Sequence, residues 1–129
     1  MDWREFEMEV RRICEEHDFD VSFHYVFRDG DGRAEIDVVA ERFDLILCID
    51  AKKYGEKRYR TSQLRREAEK HVERCRRFER LVGRKCVPVI VSFIDDNVYS
   101  HAGCLIVPFH AFNEFLANIH HYLAVLGYL

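Results

Sequence analysis

From Cys86 to its last residue the chain contains no lysine and no arginine, although it carries 20 of them elsewhere. A stretch of that length without a basic side chain is poorly equipped to face water on every side. Part of it must be covered, either by the chain's own sheet or by a second copy of the chain. No apolar run approaches the roughly 20 residues that a membrane span needs. The opening residues, with Asp2 and Arg4 set in a helical pattern, show no secretory leader. The absence of a CxxC pair argues against a structural zinc site. The cysteines at 14, 48, 75, 86 and 104 are odd in number, widely spaced and mostly at apolar-periodic positions. They read as buried free thiols in a reducing cytoplasm. Also missing are GxSxG, Walker A and GxGxxG motifs, any internal repeat and any zinc spacing among the histidines. What is left is a globular composition, 48% hydrophobic and 33% charged, expected to form one domain over residues 1–129.

The formal net charge of −3 argues against a nucleic-acid protein, but its distribution argues the other way. Residues 1–51 hold 6 basic and 15 acidic side chains, residues 52–85 hold 14 and 5, and residues 86–129 hold none and 3. Positive charge concentrated in the middle third suits a polyanion laid over an acidic site. The plainer alternative is a solvated amphipathic helix with surplus arginine.

That basic stretch begins where the most informative segment ends. Residues 33–54, RAEIDVVAERFDLILCIDAKKY, read as two strands joined by a tight turn at Phe43-Asp44. Ile36, Val38 and Ala40 alternate with Asp37, Val39 and Glu41, and an apolar run from Leu45 to Ile49 ends in Asp50-Ala51-Lys52. Folding about the turn sets Asp37 opposite Asp50, and Lys52 projects from the same face as Asp50. Charges left unpaired at the end of so apolar a hairpin would be costly, and a divalent cation is the simplest reason for them.

Asp37, a gap, then Asp50-Ala51-Lys52 resembles the D-x(n)-(D/E)-x-K signature of the PD-(D/E)XK nuclease superfamily. The order of elements is similar to that of archaeal Holliday-junction resolvases and Mrr-like restriction endonucleases. In those proteins a helix with a metal-binding Glu precedes the hairpin. The segment FEMEVRRICEEHDF from Phe6 to Phe19 resembles that helix and aligns Glu7 with the family's acid. The resemblance implies metal-dependent hydrolysis of phosphodiesters, most simply in DNA. Asp37, Asp50, Glu7 and the Ala51 carbonyl would hold Mg²⁺ (or Mn²⁺), and Lys52 would orient the attacking water and offset charge on the transition state. The fold expected is restriction-endonuclease-like α/β, a mixed sheet flanked by helices in the order α-β-β-β-α-β-β-α.

The remaining segments fit that order. Asp2 caps the first helix, with Glu5 three residues on, and Trp3, Phe6, Val10, Ile13 and Cys14 form its apolar stripe. Glu7 lies at the edge of that stripe, and Glu5 and Glu9 compete with it for any role at the sheet's rim. Val21 to Phe27 alternates as a strand and ends at Asp29-Gly30-Asp31-Gly32, a hairpin turn rather than a calcium loop. After Lys52, the residues Lys53, Tyr54, Lys57, Arg58, Tyr59 and Arg60 interleave cations with aromatics, a pattern suited to phosphates and bases. A helix capped by Thr61 or Ser62 then runs to about Val82, its apolar stripe read as Leu64, Ala68, Val72, Cys75, Phe78 and Val82. The resemblance turns its first residues, Gln63, Arg65 and Arg66, toward the site. Cys86–Phe93 is a buried strand, Asp95-Asp96-Asn97 a turn, Gly103–Phe109 a short strand, and His110–Leu126 a last helix stopped by Gly127. The wide apolar face of that helix makes it a candidate homodimer surface, with burial under the chain's own sheet as the alternative. Two other functions remain open. One is a nucleic-acid-binding module with weak or lost catalysis, since Asp50 is one methylene shorter than Glu. The other is an interaction domain in which Asp50 and Lys52 form a plain ion pair.

Overall fold

The Asp2 carboxylate accepts the Glu5 N–H at 2.8 Å and starts α1, Trp3–Glu16, satisfying one of the donors that a helix start leaves free. The computed structural model describes residues 1–53 and 60–128, and for Arg60 the backbone alone. α1 buries Phe6, Val10, Ile13 and Cys14 as the periodicity predicts, and buries Glu7 with them. Trp3, expected in the same stripe, stands 47% exposed.

Three antiparallel strands follow: β1 Asp20–Asp29, β2 Gly32–Arg42 and β3 Leu45–Lys52. The first turn is closed by the Asp29 side chain accepting the Asp31 N–H at 2.9 Å, with Gly32 at φ +105°, a conformation that glycine adopts without strain. The Asp29–Gly32 segment is therefore the hairpin turn expected of it. α2, Arg60–Val82, crosses from β3 to β4, Val87–Ser92, which lies parallel to β3. Thr61 and Ser62 already lie within α2, so neither is its cap. Gly83 ends α2 at φ +69°, its N–H donating to the Glu79 carbonyl at 2.9 Å. A two-residue strand not foreseen from the sequence, β5 Ser100–His101, pairs antiparallel with β6, Cys104–Pro108. The sheet order is β1-β2-β3-β4-β6-β5. The single last helix expected is two, α3 Phe109–Ala117 and α4 Ile119–Val125. Between them Asn118 turns its amide onto the Glu114 carbonyl at 3.1 Å, a local bond that competes with helix propagation.

Two layers of helix cover the sheet. α1, α3 and α4 enclose the larger core with Val38, Leu47, Ile49, Val89 and Leu105. α2 covers the opposite face, where Cys75 and Phe78 meet Ile36, Val39 and Cys48, and Leu64 and Ala68 meet Ile90 and Ile106. The five cysteines are free and buried, as composition led one to expect. The alternation expected of Ile36, Val38 and Ala40 fails at one point. Ile36 packs on the α2 side and Val38 on the α1 side, so β2 changes face between them. β1 changes face with it, because His24, opposite Asp37 in the register, takes a left-handed φ of 50°. The hairpin thus wraps both layers, and the break falls at Asp37. Among the described residues, no helix is long and apolar enough to cross a membrane.

The apolar face of the C-terminal helices is largely spent inside the molecule. Phe112, Phe115, Leu116, Ile119 and Leu123 are buried in the larger core, while Val125 is 69% exposed. The part of the apolar face that is buried follows the alternative expectation, cover by the chain's own sheet. Leu116→Ala should therefore cost about 2–5 kcal/mol in urea denaturation, as large-to-small core changes do. Val125→Ala should stay within about 0.5 kcal/mol. A cost for Leu116→Ala that changes with protein concentration would place that side chain at a subunit interface instead.

Candidate active site

Val38 pairs with Ile49, and that register carries Asp37 opposite Asp50 at the ends of β2 and β3. The Ala51 N–H donates to Asp37 Oδ2 at 3.3 Å, and the two carboxyls share a hydrogen bond. Asp50 is buried, and its Oδ2 accepts from Lys52 Nζ at 3.0 Å and from Arg74 Nη2 at 3.2 Å. Lys52 is held from its other side by Glu67 at 3.4 Å. The sequence reading of Asp37, Asp50 and Lys52 as neighbours on one face is what the strands produce. They line a cavity of about 500 Å³ between the hairpin and α2, together with Ala51, Lys53 and Trp3 and with Arg33, His71, Arg74 and Arg77.

Two carboxylates this close cannot both ionise cheaply. Burial, then the hydrogen bond and repulsion from Asp50, push the Asp37 carboxyl up to about 8. Burial also works to raise Asp50, but its hydrogen bond with Asp37 and the Lys52 ammonium outweigh it and hold Asp50 below the ordinary range. The pair thus keeps one proton at neutral pH, with Asp37 donating to Asp50. Burial disfavours the Lys52 charge, yet Asp50 and Glu67 more than offset it and raise its pKa. Lys52 is an ammonium here, a donor and a positive charge rather than a base.

His71 and Arg74 line the same cavity and are the site residues that the sequence reading missed. His71 is fully buried, and its Nε2 lies 2.7 Å from the Cys48 carbonyl. A carbonyl only accepts, so Nε2 carries the proton and Nδ1 is left to receive Arg74 Nη2 at 3.4 Å. Burial lowers the His71 pKa and keeps the ring neutral. The signal was present: along α2 the positions 64, 68, 71, 75 and 78 step by four and three, the spacing of a buried face. His71 belongs to that stripe in place of Val72, which is only half-buried. Arg77 braces the wall by binding Asp29 at 2.7 and 2.9 Å and the Gly32 carbonyl at 2.8 Å, which holds the hairpin turn against α2.

Other expected site residues are placed differently. Glu7 is buried near Asp37 but does not line the carboxylate cavity, and its Oε1 accepts from His24 Nε2 at 2.8 Å. Glu5 is exposed and Glu9 half-buried on α1, with Glu9 bound to Arg12. Among the described residues no three His, Cys, Asp or Glu side chains form a ready-made metal cage, so the centre is a carboxylate pair. Lys53 is exposed, donates to the Met1 carbonyl and lies over the Phe93 ring at 5.2 Å. Gln63, Arg65 and Arg66 are exposed on the first turns of α2 and are not among the residues lining the cavity. Tyr54, Lys57, Arg58 and the Arg60 side chain lie outside the described residues.

The chain is 62% identical, over the full length of both, to an uncharacterized protein of Archaeoglobus fulgidus. No family model matches it. Its fold is similar to that of the small subunit (R.BspD6I2) of the heterodimeric restriction endonuclease R.BspD6I, with a TM-score of 0.60 and 11% identity over 92% of this chain and 69% of that one. It is also similar to a protein of unknown function, AF1548, with a TM-score of 0.53 and 24% identity. That match covers 67% of this chain, which spans 44% of the other. The architecture is therefore restriction-endonuclease-like, a mixed sheet between helices.

The shared proton makes a stability prediction. A carboxyl whose pKa is raised on folding stabilises the fold fully below its ordinary value of 3.8 and loses that contribution as pH rises through about 8. Metal-free protein should become easier to unfold with urea across that window, and Asp37→Asn should flatten the decline. An Asp37→Asn profile parallel to that of the wild type would mean that the pair is not protonated.

Proposed function

The chain belongs to the family of the Archaeoglobus fulgidus protein and has a restriction-endonuclease-like fold, and from that premise we propose that it is a metal-dependent nuclease hydrolysing phosphodiester bonds in DNA. The observation that carries this reading is the facing pair Asp37 and Asp50, with Lys52 beside them, in a cavity walled by Arg33, Arg74 and Arg77. It supports the assignment of the chain to the PD-(D/E)XK superfamily that its residues resemble.

The residues fit a divalent cation. The donors at the pair are hard carboxylate oxygens, the kind that Mg²⁺ or Mn²⁺ takes, and a single proton now does the neutralising that such an ion would do. Asp37 and Asp50 would hold it, with the Ala51 carbonyl in reach of the same strand end. When bound, the cation supplies Lewis acidity toward the phosphoryl oxygens. Lys52, held charged by Asp50 and Glu67, donates to a phosphoryl oxygen as negative charge builds in the transition state. Arg74 rests on Asp50 and can turn its guanidinium toward the phosphate, while buried His71 fixes the direction from which it reaches. The cations of α2 and Lys53 hold the backbone of the substrate without reading its sequence.

One observation favours a second reading. Lys52 and Arg74 already occupy Asp50 Oδ2, and with a proton on Asp37 the site is neutralised without metal, as a binding-only module requires. A cleavage panel over single-stranded, duplex and junction DNA with Mg²⁺ or Mn²⁺ separates the two. Lys52→Ala should lower the rate by about 10²–10³, the scale of losing one transition-state donor. Asp37→Asn and Asp50→Asn should abolish cleavage. DNA bound but never cut by wild type would establish the binding module, and cutting that survives all three changes would remove the site assignment.

A further inference from the structure

The cations of the carboxylate cavity are held in unequal ways. Arg77 is locked, its guanidinium bonding both Asp29 oxygens at 2.7 and 2.9 Å and the Gly32 carbonyl at 2.8 Å. Lys52 lies between two carboxylates, Asp50 at 3.0 Å and Glu67 at 3.4 Å, so it keeps a counter-charge if Asp50 is taken by another partner. Arg74 has no such reserve. Its Nη2 donates to Asp50 Oδ2 at 3.2 Å and to Nδ1 of neutral His71 at 3.4 Å, and among the described residues Asp50 is its only carboxylate. Its Nε is buried and donates to nothing. A guanidinium has five donors, and a buried one left without an acceptor is costly, so this resting pose holds Arg74 weakly. The side chain is 28% exposed and lines the cavity, with open space to turn into.

A divalent ion at Asp50 would meet this guanidinium at the same carboxylate, where like charges at such short range repel strongly. Lys52 can fall back on Glu67, whereas Arg74 can fall back on no carboxylate among the described residues. We propose that Arg74 is a tethered competitor for the metal. It fills Asp50 in the metal-free protein, leaves when Asp50 ligates the ion, and then offers its guanidinium to a phosphate of the substrate. His71 marks its resting place: Nε2 is committed to the Cys48 carbonyl at 2.7 Å, so Nδ1 stays an acceptor facing Arg74. The inference rests on the nuclease reading and gives that site a regulation. Arg74 grips phosphate only after Asp50 has its ion, so metal and DNA each tighten the binding of the other. Without metal, the same side chain contributes nothing to holding DNA.

Three measurements test this, none of them of cleavage. In wild type, the buried Nε–H of Arg74, followed by nitrogen-15 resonance, should exchange faster with water once Mg²⁺ is added, while that of Arg77, held on Asp29, should not. Without DNA, Arg74→Gln should take up Mn²⁺ about 10- to 100-fold more tightly than wild type, the range for removing one charged hydrogen bond. With a short duplex at fixed salt, Arg74→Gln should bind as wild type does in chelator and about 10- to 100-fold more weakly in Ca²⁺. Circular dichroism confirms that the variant is folded, and Arg74→Lys, which keeps the charge, should return Mn²⁺ uptake toward that of wild type. An Arg74 Nε–H unmoved by Mg²⁺, Mn²⁺ uptake no tighter in folded Arg74→Gln, or an equal loss of DNA affinity with and without Ca²⁺ overturns the competitor. If wild type then still takes up Mn²⁺, the nuclease reading survives alone; if it takes up none, both fall.

Discussion

The confrontation of Asp37 with Asp50 is the constraint on which the site depends. Two carboxyls meet where the sheet is covered on both faces, and the chain tolerates them by three means at once. Asp37 retains a proton, Lys52 and Arg74 converge on Asp50, and the Ala51 N–H donates to Asp37. Each of these partners is placed by a different feature of the fold. Lys52 follows from the period of β3, Ala51 from the β2–β3 register, and Arg74 from the way α2 lies across the hairpin. The cluster is expensive in a metal-free protein, and such expense concentrates at functional sites.

The face change of the hairpin has a matching consequence. Because β2 turns from the α2 side to the α1 side between Ile36 and Val38, Asp37 stands at a crossing point between two layers. His24 in β1 takes up the distortion with a left-handed backbone and from there reaches Glu7 on α1. A single irregularity therefore connects the carboxylate cavity on one side of the hairpin with a second cavity at Glu7 on the other, with Trp3 lining both. Non-glycine residues rarely adopt that conformation, and where they do the surrounding structure must enforce it. Here the enforcement comes from the pairs on either side, Phe23 with Val38 and Tyr25 with Ile36.

Much of this was legible in the sequence. The element order through β4, the tight turn at Phe43-Asp44, the capping Asp2 and the helix-ending Gly83 all follow from local chemistry, whereas the two-residue β5 and the break of the last helix at Asn118 do not. The Asp37–Asp50 alignment follows from counting residues back from one turn. The face change was not legible, because the apolar positions of β2 keep their alternation through it. His71 was passed over because a histidine inside an apolar stripe looks out of place until a partner is visible, and that partner is the backbone carbonyl of Cys48. The dimer expectation arose from a true observation, the lack of basic residues after Lys85; the same segment buries Phe112, Leu116 and Leu123 beneath the chain's own sheet. Glu7 was aligned by resemblance to a metal ligand, and its buried carboxylate, bound to His24, stands near Asp37 without lining the carboxylate cavity.

Titration of Mn²⁺ followed by its paramagnetic resonance tests the carboxylate pair most directly, because the signal of the free ion fades as it binds and no substrate is needed. Wild type should take up the ion, Lys52→Ala should retain most of that uptake, and Asp37→Asn and Asp50→Asn should each lose it. Uptake by both Asp variants equal to that of wild type would contradict the assignment of Asp37 and Asp50 as the centre of this protein's chemistry.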